Sequence, residues 1–392
     1  MAKRVGMEVS IAASEAVKLA DVDVIAAYPI TPQTHIVEHL SEVVADGELD
    51  AAFVPVESEH SAMSCCLGSS AAGARTFTAT SSQGLALMHE ILFIAPAMRL
   101  PIVMVVANRA LSGPISIWND HSDIMAEQDI AWIQTFAENG QEVFDLVLHA
   151  FRVAEDSKVL LPVIVNLDGF TLSHVIEPIE ILDKAEVDKY LPPYKPKVRL
   201  DPRKPVSMGL VGIPEIYTEA KKATDEVLIN SKKIVLKAWK EFGDLFGRYY
   251  NPVESYKTEG AEVILITMGS ISETAMTAID KMREKGLPVG LVRFRLWKPF
   301  PAPEFKKAIA GAQTLAVVDR ALSPGGACGP VAEEIKAALY AERGRPKVFN
   351  FIAGLGGRDV TVENFEEIVS KAFAYAKKRP KQFYEMIGVR EI

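Results

Sequence analysis

A carboxylate set where an apolar strand runs into a helix of small residues is the feature of this 392-residue sequence best placed to do chemistry. Val56-Glu57-Ser58-Glu59-His60-Ser61 leads into a stretch of serine, alanine and glycine that ends at Gly73. Small side chains let a helix pack close against its neighbour, and a carboxylate buried at its start is costly without a partner. Glu57 or Glu59 there either holds a proton for a ligand or stabilises the positive end of the helix.

Three other turns offer complementary groups. Tyr28-Pro29-Ile30-Thr31-Pro32 holds a hydroxyl between two prolines, and Pro32 biases Thr31 away from helical angles. Thr31 or Thr34 also suits a helix cap. Thr78-Ala79-Thr80-Ser81-Ser82-Gln83-Gly84 puts hydroxyls, an amide and a glycine at one turn, for a polar ligand or for capping. Val106-Ala107-Asn108-Arg109-Ala110 ends in an arginine whose planar fork matches a carboxylate, of substrate or of protein. Residues 111–123 follow as a polar loop with Trp118, Asn119, Asp120 and His121.

The elements that must position these groups are short Val- and Ile-rich runs at 22–27, 52–56, 74–78, 102–107 and 160–166, alternating with helical periodicity at 36–45, 61–71, 85–98 and 142–154. Such runs suit strands of a parallel sheet covered on both faces. The pattern predicts an α/β fold with ligands at the carboxyl ends of its strands. Residues 190–204 are rich in proline and charge and read as an arm; a polar helix over 215–246 follows. A second α/β unit begins at 261, with strands at 263–267, 288–293, 314–318 and 347–351. Its strand-end turns, including Gly354-Leu355-Gly356-Gly357, read as tight turns and packing surfaces, because no phosphate-binding fingerprint precedes a helix.

Composition excludes several classes. A net charge of −8 argues against a nucleic-acid partner. No apolar run approaches the roughly 18 residues of a membrane helix, and the first residues, MAKRVGMEVSIAASEAV, read as mature structure rather than a leader, so a cytoplasmic protein is expected. Cys65, Cys66 and Cys328 form neither a disulfide framework nor a metal set; iron–sulfur centres, if needed, sit on other chains.

YPITPQT (28–34), VESEHSAM (56–63), GARTFTATSSQGLALMHE (73–90), RLPIVMVVANRALSGPISIWNDHSD (99–123) and AGLGGRDVT (353–361) together resemble the alpha subunits of pyruvate:ferredoxin oxidoreductases and their 2-oxoacid relatives. The resemblance implies a pyrimidine-type thiamine-diphosphate-binding domain over residues 1–185, a linker arm and helix over 186–260, and a transketolase C-terminal-like α/β domain over 261–392. It implies that Glu59 meets the cofactor's aminopyrimidine, with Pro29, Thr80, Ser81 and Gln83 around it. Thr31, Arg109 and Asn119 would hold the substrate, and this chain would supply no metal ligand.

The same resemblance implies a beta subunit carrying the diphosphate and magnesium site and an iron–sulfur cluster. Gamma and delta subunits, further 4Fe–4S clusters, ferredoxin and coenzyme A complete the implied set. The chain lacks the GDG…N signature for magnesium and diphosphate, in keeping with a required partner. The implied reaction is the reversible oxidative decarboxylation of pyruvate to acetyl-CoA. Alternatives are the same chemistry on 2-oxoisovalerate, a purely structural subunit, or a self-contained acid–base enzyme built on Glu59 and His60.

Overall fold

The computed structural model describes residues 3–390. The first part of the chain reads β1 (Lys3–Glu8), α1 (Val9–Leu19), β2 (Val24–Ala27), α2 (Thr34–Ala45), β3 (Ala52–Pro55), α3 (Glu59–Ala72), β4 (Thr76–Thr80), α4 (Ser82–Leu92), α5 (Ile94–Ala97) and β5 (Val103–Asn108). It continues with α6 (Ser122–Ala126), β6 (Ile133–Phe136), α7 (Gly140–Ala154), β7 (Val163–Asp168), β8 (Ile176–Ile181), α8 (Lys184–Tyr190) and α9 (Pro214–Phe246). The remainder is β9 (Val253–Tyr256), β10 (Val263–Met268), α10 (Ile271–Glu284), β11 (Val289–Phe294), β12 (Leu296–Lys298), α11 (Ala302–Ala308), β13 (Thr314–Asp319), α12 (Pro330–Leu339), β14 (Lys347–Ile352), α13 (Val362–Lys377) and β15 (Tyr384–Met386).

A seven-stranded sheet has the order β12-β6-β7-β5-β4-β2-β3, and a six-stranded sheet the order β15-β14-β13-β10-β11-β9. Within these two sheets all pairs are parallel except β12 on β6 and β9 on β11, and β1 pairs antiparallel with β8 in a separate two-stranded sheet. The central strands β5 (VMVVAN) and β7 (VIVNLD) are buried along their whole length, as parallel strands covered on both faces must be. One apolar core, with Val103, Val105 and Phe144, fills one face of the large sheet. A second, with Met104, Val106 and Trp132, fills the other and runs on into the small sheet.

The short run Leu-Trp-Lys of β12 belongs to the second half of the sequence yet pairs with β6, at the edge of the first sheet. Neither strand is legible as part of an apolar run. The expected helix over 85–98 is instead α4 and α5, parted at Phe93. Pro96 has no N–H for the carbonyl of Leu92, which accepts the Trp132 indole N–H at 2.8 Å instead.

The helix α9 starts with Pro214 in its first turn and ends at Gly247 with φ +76°. Its second half buries Val235, Ala238, Trp239 and Phe242, whereas its first half is largely exposed. The proline-rich arm passes over the end of α3, where the Leu200 N–H donates to the Ala71 carbonyl at 2.8 Å.

Candidate active site

The carboxyl ends of β3, β2, β4 and β5 are neighbours in the large sheet, so the four turns singled out by residue type lie side by side. Ser58 caps α3, accepting the Ser61 N–H at 3.2 Å, and puts Glu59 in the first turn. Glu59 is only 7% exposed. Among the described residues its carboxylate has no hydrogen bond and no ion pair, though Gly84 of α4 lies against it. A Cβ at Gly84 would stand 2.7 Å from Glu59 Oε1 and 2.4 Å from Thr80 Oγ1. The hydroxyls of Thr80 and Ser81 are buried and unpartnered as well. A nearly buried carboxylate beside two unused hydroxyls calls for a ligand that donates to one and accepts from the others.

The second cluster surrounds Arg109, 7% exposed, whose burial lowers its pKa while the charge of Asp123 raises it. Its Nε donates to the Ser116 carbonyl at 2.8 Å and its Nη1 to the Thr31 carbonyl at 2.9 Å. Nη2 has no partner among the described residues. Thr31 is exposed and its hydroxyl is likewise unused. An open guanidinium edge beside a free hydroxyl is a cradle for a carboxylate.

Two buried side chains join the clusters. Gln33 donates to the Ala79 carbonyl at 2.6 Å and to the Tyr28 carbonyl at 3.3 Å, tying the Pro29–Thr31 turn to the end of β4. Asp123 accepts the backbone N–H groups of Ser82 (3.1 Å), Arg109 (3.0 Å) and Ile124 (2.8 Å) and the Asn108 amide (3.1 Å). Burial pushes Asp123 up to about 7 against these four donors. Ser82 sits at φ +45°, a region L residues rarely adopt, and its bonds to Asp123 and the Ala110 carbonyl hold it there.

The other expected site residues fall around this core. Pro29 is exposed on its turn. Gln83 donates to Ser112 Oγ at 2.6 Å and meets Ser82 Oγ at 2.7 Å, so its amide braces the loop over 111–123. Asn119 is fully buried; its Oδ1 accepts the Thr171 hydroxyl at 3.2 Å, and its Nδ2 is unpartnered. No hydrogen bond joins Glu59 to Arg109, Thr31 or Asn119 among the described residues.

The second unit closes over this loop. A Cβ at Gly357 would lie 2.4 Å from Trp118 Cβ, and the Gly356 N–H donates to Asp120 Oδ2 at 3.0 Å. Beneath, the buried Asp168 at the end of β7 accepts from Ser270 N at 2.8 Å, pairs with Arg320 at 2.8 Å and meets His121 Nε2 at 2.8 Å. Burial alone would raise its pKa, but Arg320 and His121 hold it well below the carboxylate range.

Asp123 and Asp168 escaped the reading by residue type, whereas Gly84 belonged to the turn singled out for a polar ligand or for capping, though not as the close neighbour of Glu59. An acid just past an apolar run in Asn166-Leu167-Asp168 was the signal available for Asp168.

The family described as pyruvate flavodoxin/ferredoxin oxidoreductase, thiamine diP-binding, matches residues 15–240, and pyruvate:ferredoxin oxidoreductase core domain II matches residues 261–365. The pyruvate synthase subunit PorA of Methanothermobacter thermautotrophicus is 50% identical over 382 residues, 97% of each chain. The ketoisovalerate oxidoreductase subunit VorA of Pyrococcus abyssi is 44% identical over 359 residues, 91% of this chain and 90% of that one. Among solved structures, a 2-oxoglutarate:ferredoxin oxidoreductase from Magnetococcus marinus superposes with a TM-score of 0.70 at 21% identity, covering 94% of this chain; this chain spans 65% of that one. A split-gene transketolase superposes with a TM-score of 0.55 at 12% identity, covering 94% and 99%. These two likenesses show the fold alone, an α/β architecture shared with both structures.

Proposed function

This chain belongs to the pyruvate flavodoxin/ferredoxin oxidoreductase family, and from that premise we propose that it is the alpha subunit of an enzyme that oxidises pyruvate, with coenzyme A, to acetyl-CoA and carbon dioxide and passes two electrons to ferredoxin. The observation that carries the reading is Glu59: a carboxylate nearly closed off from water, without a hydrogen bond or ion pair among the described residues, beside the hydroxyls of Thr80 and Ser81, which are likewise unpartnered there. That donor and acceptor set fits an aminopyrimidine, which offers ring nitrogen and amino group together. Thiamine diphosphate, when bound, supplies the nucleophilic carbon and the electron sink that decarboxylation needs.

This chain's own residues then have distinct tasks. Glu59 holds a proton at the pyrimidine ring nitrogen N1′. Thr80 and Ser81 stand around the ring, and Pro29 and the Gln83-braced loop line the approach. Arg109 Nη2 and the Thr31 hydroxyl bind the substrate carboxylate and fix the 2-oxo group in one orientation. Asn119 Nδ2 is the further donor on the substrate side. Asp123 keeps Ser82 and Arg109 in register and touches neither substrate nor cofactor.

A beta subunit supplies the diphosphate and magnesium site, and cluster-bearing subunits carry the electrons. Three cysteines, of which Cys66 and Cys328 are buried, leave this chain without a four-thiolate set. We place this assembly in the cytoplasm; among the described residues no helix is long and apolar enough to cross a membrane.

Purification of the native complex, followed by assay for thiamine diphosphate, iron and pyruvate-dependent ferredoxin reduction, tests the proposal. Parallel rates with pyruvate, 2-oxoisovalerate and 2-oxoglutarate test the substrate. A fastest rate with 2-oxoisovalerate would move the chain to the branched-chain reading that its likeness to the ketoisovalerate subunit supports.

A further inference from the structure

We propose that Glu8, His35 and His174 form a binding site for a zinc-class divalent cation on the face that carries β1, the start of α2 and the turn before β8. One ligand atom from each of the three lies within 4.8 Å of the others, the only such group of histidine, cysteine and acidic residues among the described residues. Two imidazoles and a carboxylate are a donor set that zinc takes readily, with a fourth position left for water.

Three separate pieces of backbone converge to make the group. The pairing of β1 with β8 sets Glu8 opposite Ile176, and the Val9 N–H donates to the Val175 carbonyl at 3.1 Å, so the end of β1 with Glu8 is held against the turn before β8 that carries His174. His35, in the first turn of α2, faces them; its Nδ1 lies 2.6 Å from Glu8 Oε1, and its ring centroid lies 4.6 Å from that of His174.

The surroundings orient the rings as a second shell does around a bound metal. His174 Nδ1 bonds Ser173 Oγ at 2.7 Å, which leaves Nε2 as the nitrogen without a hydrogen-bond partner among the described residues. Ser173 is itself buried and receives the Phe170 N–H at 2.9 Å. The site remains open to solvent, with the His35 side chain 44% exposed and that of Glu8 21% exposed. Phe170 packs on His174 and on Trp118, both at 4.7 Å, so an ion here would stiffen the base of the loop over 111–123.

The test is a titration of Zn2+ against the metal-stripped full chain and against its assembled complex, with a competing chromophoric chelator and zinc analysis after dialysis. The wild type and His39→Ala, whose imidazole pairs with Glu15 one turn further along α2, are expected to keep one zinc per chain at micromolar free zinc. His35→Ala and His174→Gln are expected to lose it, with binding weaker by roughly tenfold or more. His35 is exposed enough for its replacement to leave the core intact, and zinc should raise the unfolding temperature of the wild type and His39→Ala but not of His35→Ala or His174→Gln. A wild type that takes up no zinc in that range, or equal zinc affinity in the wild type, His35→Ala and His174→Gln, overturns the proposal.

Discussion

The carboxylate of Glu59 occupies space that only a glycine at position 84 leaves open: a Cβ on Gly84 would stand 2.7 Å from its Oε1 and 2.8 Å from its Cγ. One residue on α4 thus fixes where the acid of α3 rests. Gly84→Ala should push Glu59 and Thr80 out of place, costing about 1–3 kcal/mol of stability and most of the affinity for thiamine diphosphate. Chemical denaturation and cofactor titration on the complex measure both; native cofactor affinity in this variant would mean that Glu59 is not held from that side.

Glu59→Gln keeps size and shape but removes the ionisable proton. Since Glu59 makes no hydrogen bond among the described residues, stability should stay near that of the wild type. Turnover should fall by roughly 10²–10⁴-fold, the loss typical of a missing acid–base group. Steady-state ferredoxin reduction on assembled complex provides the measurement, and turnover within threefold of wild type, taken as ~no effect, would remove Glu59 from the chemistry.

Arg109 spends two of its donors on the carbonyls of Ser116 and Thr31 and turns the third nitrogen outward. A lysine keeps the charge but has no planar fork to serve both carbonyls and a substrate. Arg109→Lys should lower kcat/KM for pyruvate by about ten- to a hundredfold, the equivalent of one charge-assisted hydrogen bond, chiefly through KM. A raised KM confined to Arg109 variants, with cofactor affinity preserved, separates substrate binding from a folding defect.

Asp123 gives the site a pH dependence whose sign is fixed. Its folded pKa of about 7 lies above the ordinary 3.8, so the folded protein binds the extra proton between those values. Its contribution to stability is therefore greatest below 3.8 and falls as pH rises towards 7. The arrangement of Ser82 and Arg109 follows the opposite course, because only the carboxylate accepts all four N–H donors. KM for pyruvate should rise as pH falls through about 7, and Asp123→Asn should abolish that rise by holding KM near the wild type's acidic value at neutral pH and above.

Asp168 joins the two sheets through Ser270 and Arg320, with His121 on its other side. Arg320→Ala leaves a buried carboxylate short of its main counter-charge and should destabilise the fold by about 3–5 kcal/mol. The depressed pKa of Asp168 adds stability above its unfolded value, lost as pH falls below it. The wild type should accordingly unfold more readily in strong acid, and Arg320→Ala should flatten that dependence. Calorimetry between neutral and strongly acidic pH reads both effects.

The sequence makes Thr31, Glu59, Thr80 and Arg109 visible because each lies at, or within four residues of, the end of a short strand-like run, and ligands gather at the carboxyl ends of parallel strands. What holds them is less visible. Asp123 binds donors at positions 82, 108, 109 and 124, a convergence that exists only once β4 and β5 are paired. Asp168 lies two residues past the point where the apolar run breaks at Asn166, although β7 continues through it. The edge strand β12 has three residues and no pattern of its own; its partner β6 supplies the pairing. Gln83 and Asn119 share the composition of the ligand-facing residues, yet the loops draw on their amides. In the second unit, Gly356 and Gly357, read as a tight turn and packing surface, pack within the chain on Trp118 and Asp120, since only glycine allows so close an approach.

The central claim is that Glu59 meets the pyrimidine ring of thiamine diphosphate at the boundary with a partner chain. A structure of the assembled complex with the cofactor bound measures it directly. The account predicts a Glu59 carboxylate oxygen within hydrogen-bond distance of the ring nitrogen N1′, with the diphosphate and its magnesium held by the other chain. A cofactor bound elsewhere, or one whose pyrimidine lies beyond hydrogen-bonding reach of Glu59, would contradict it.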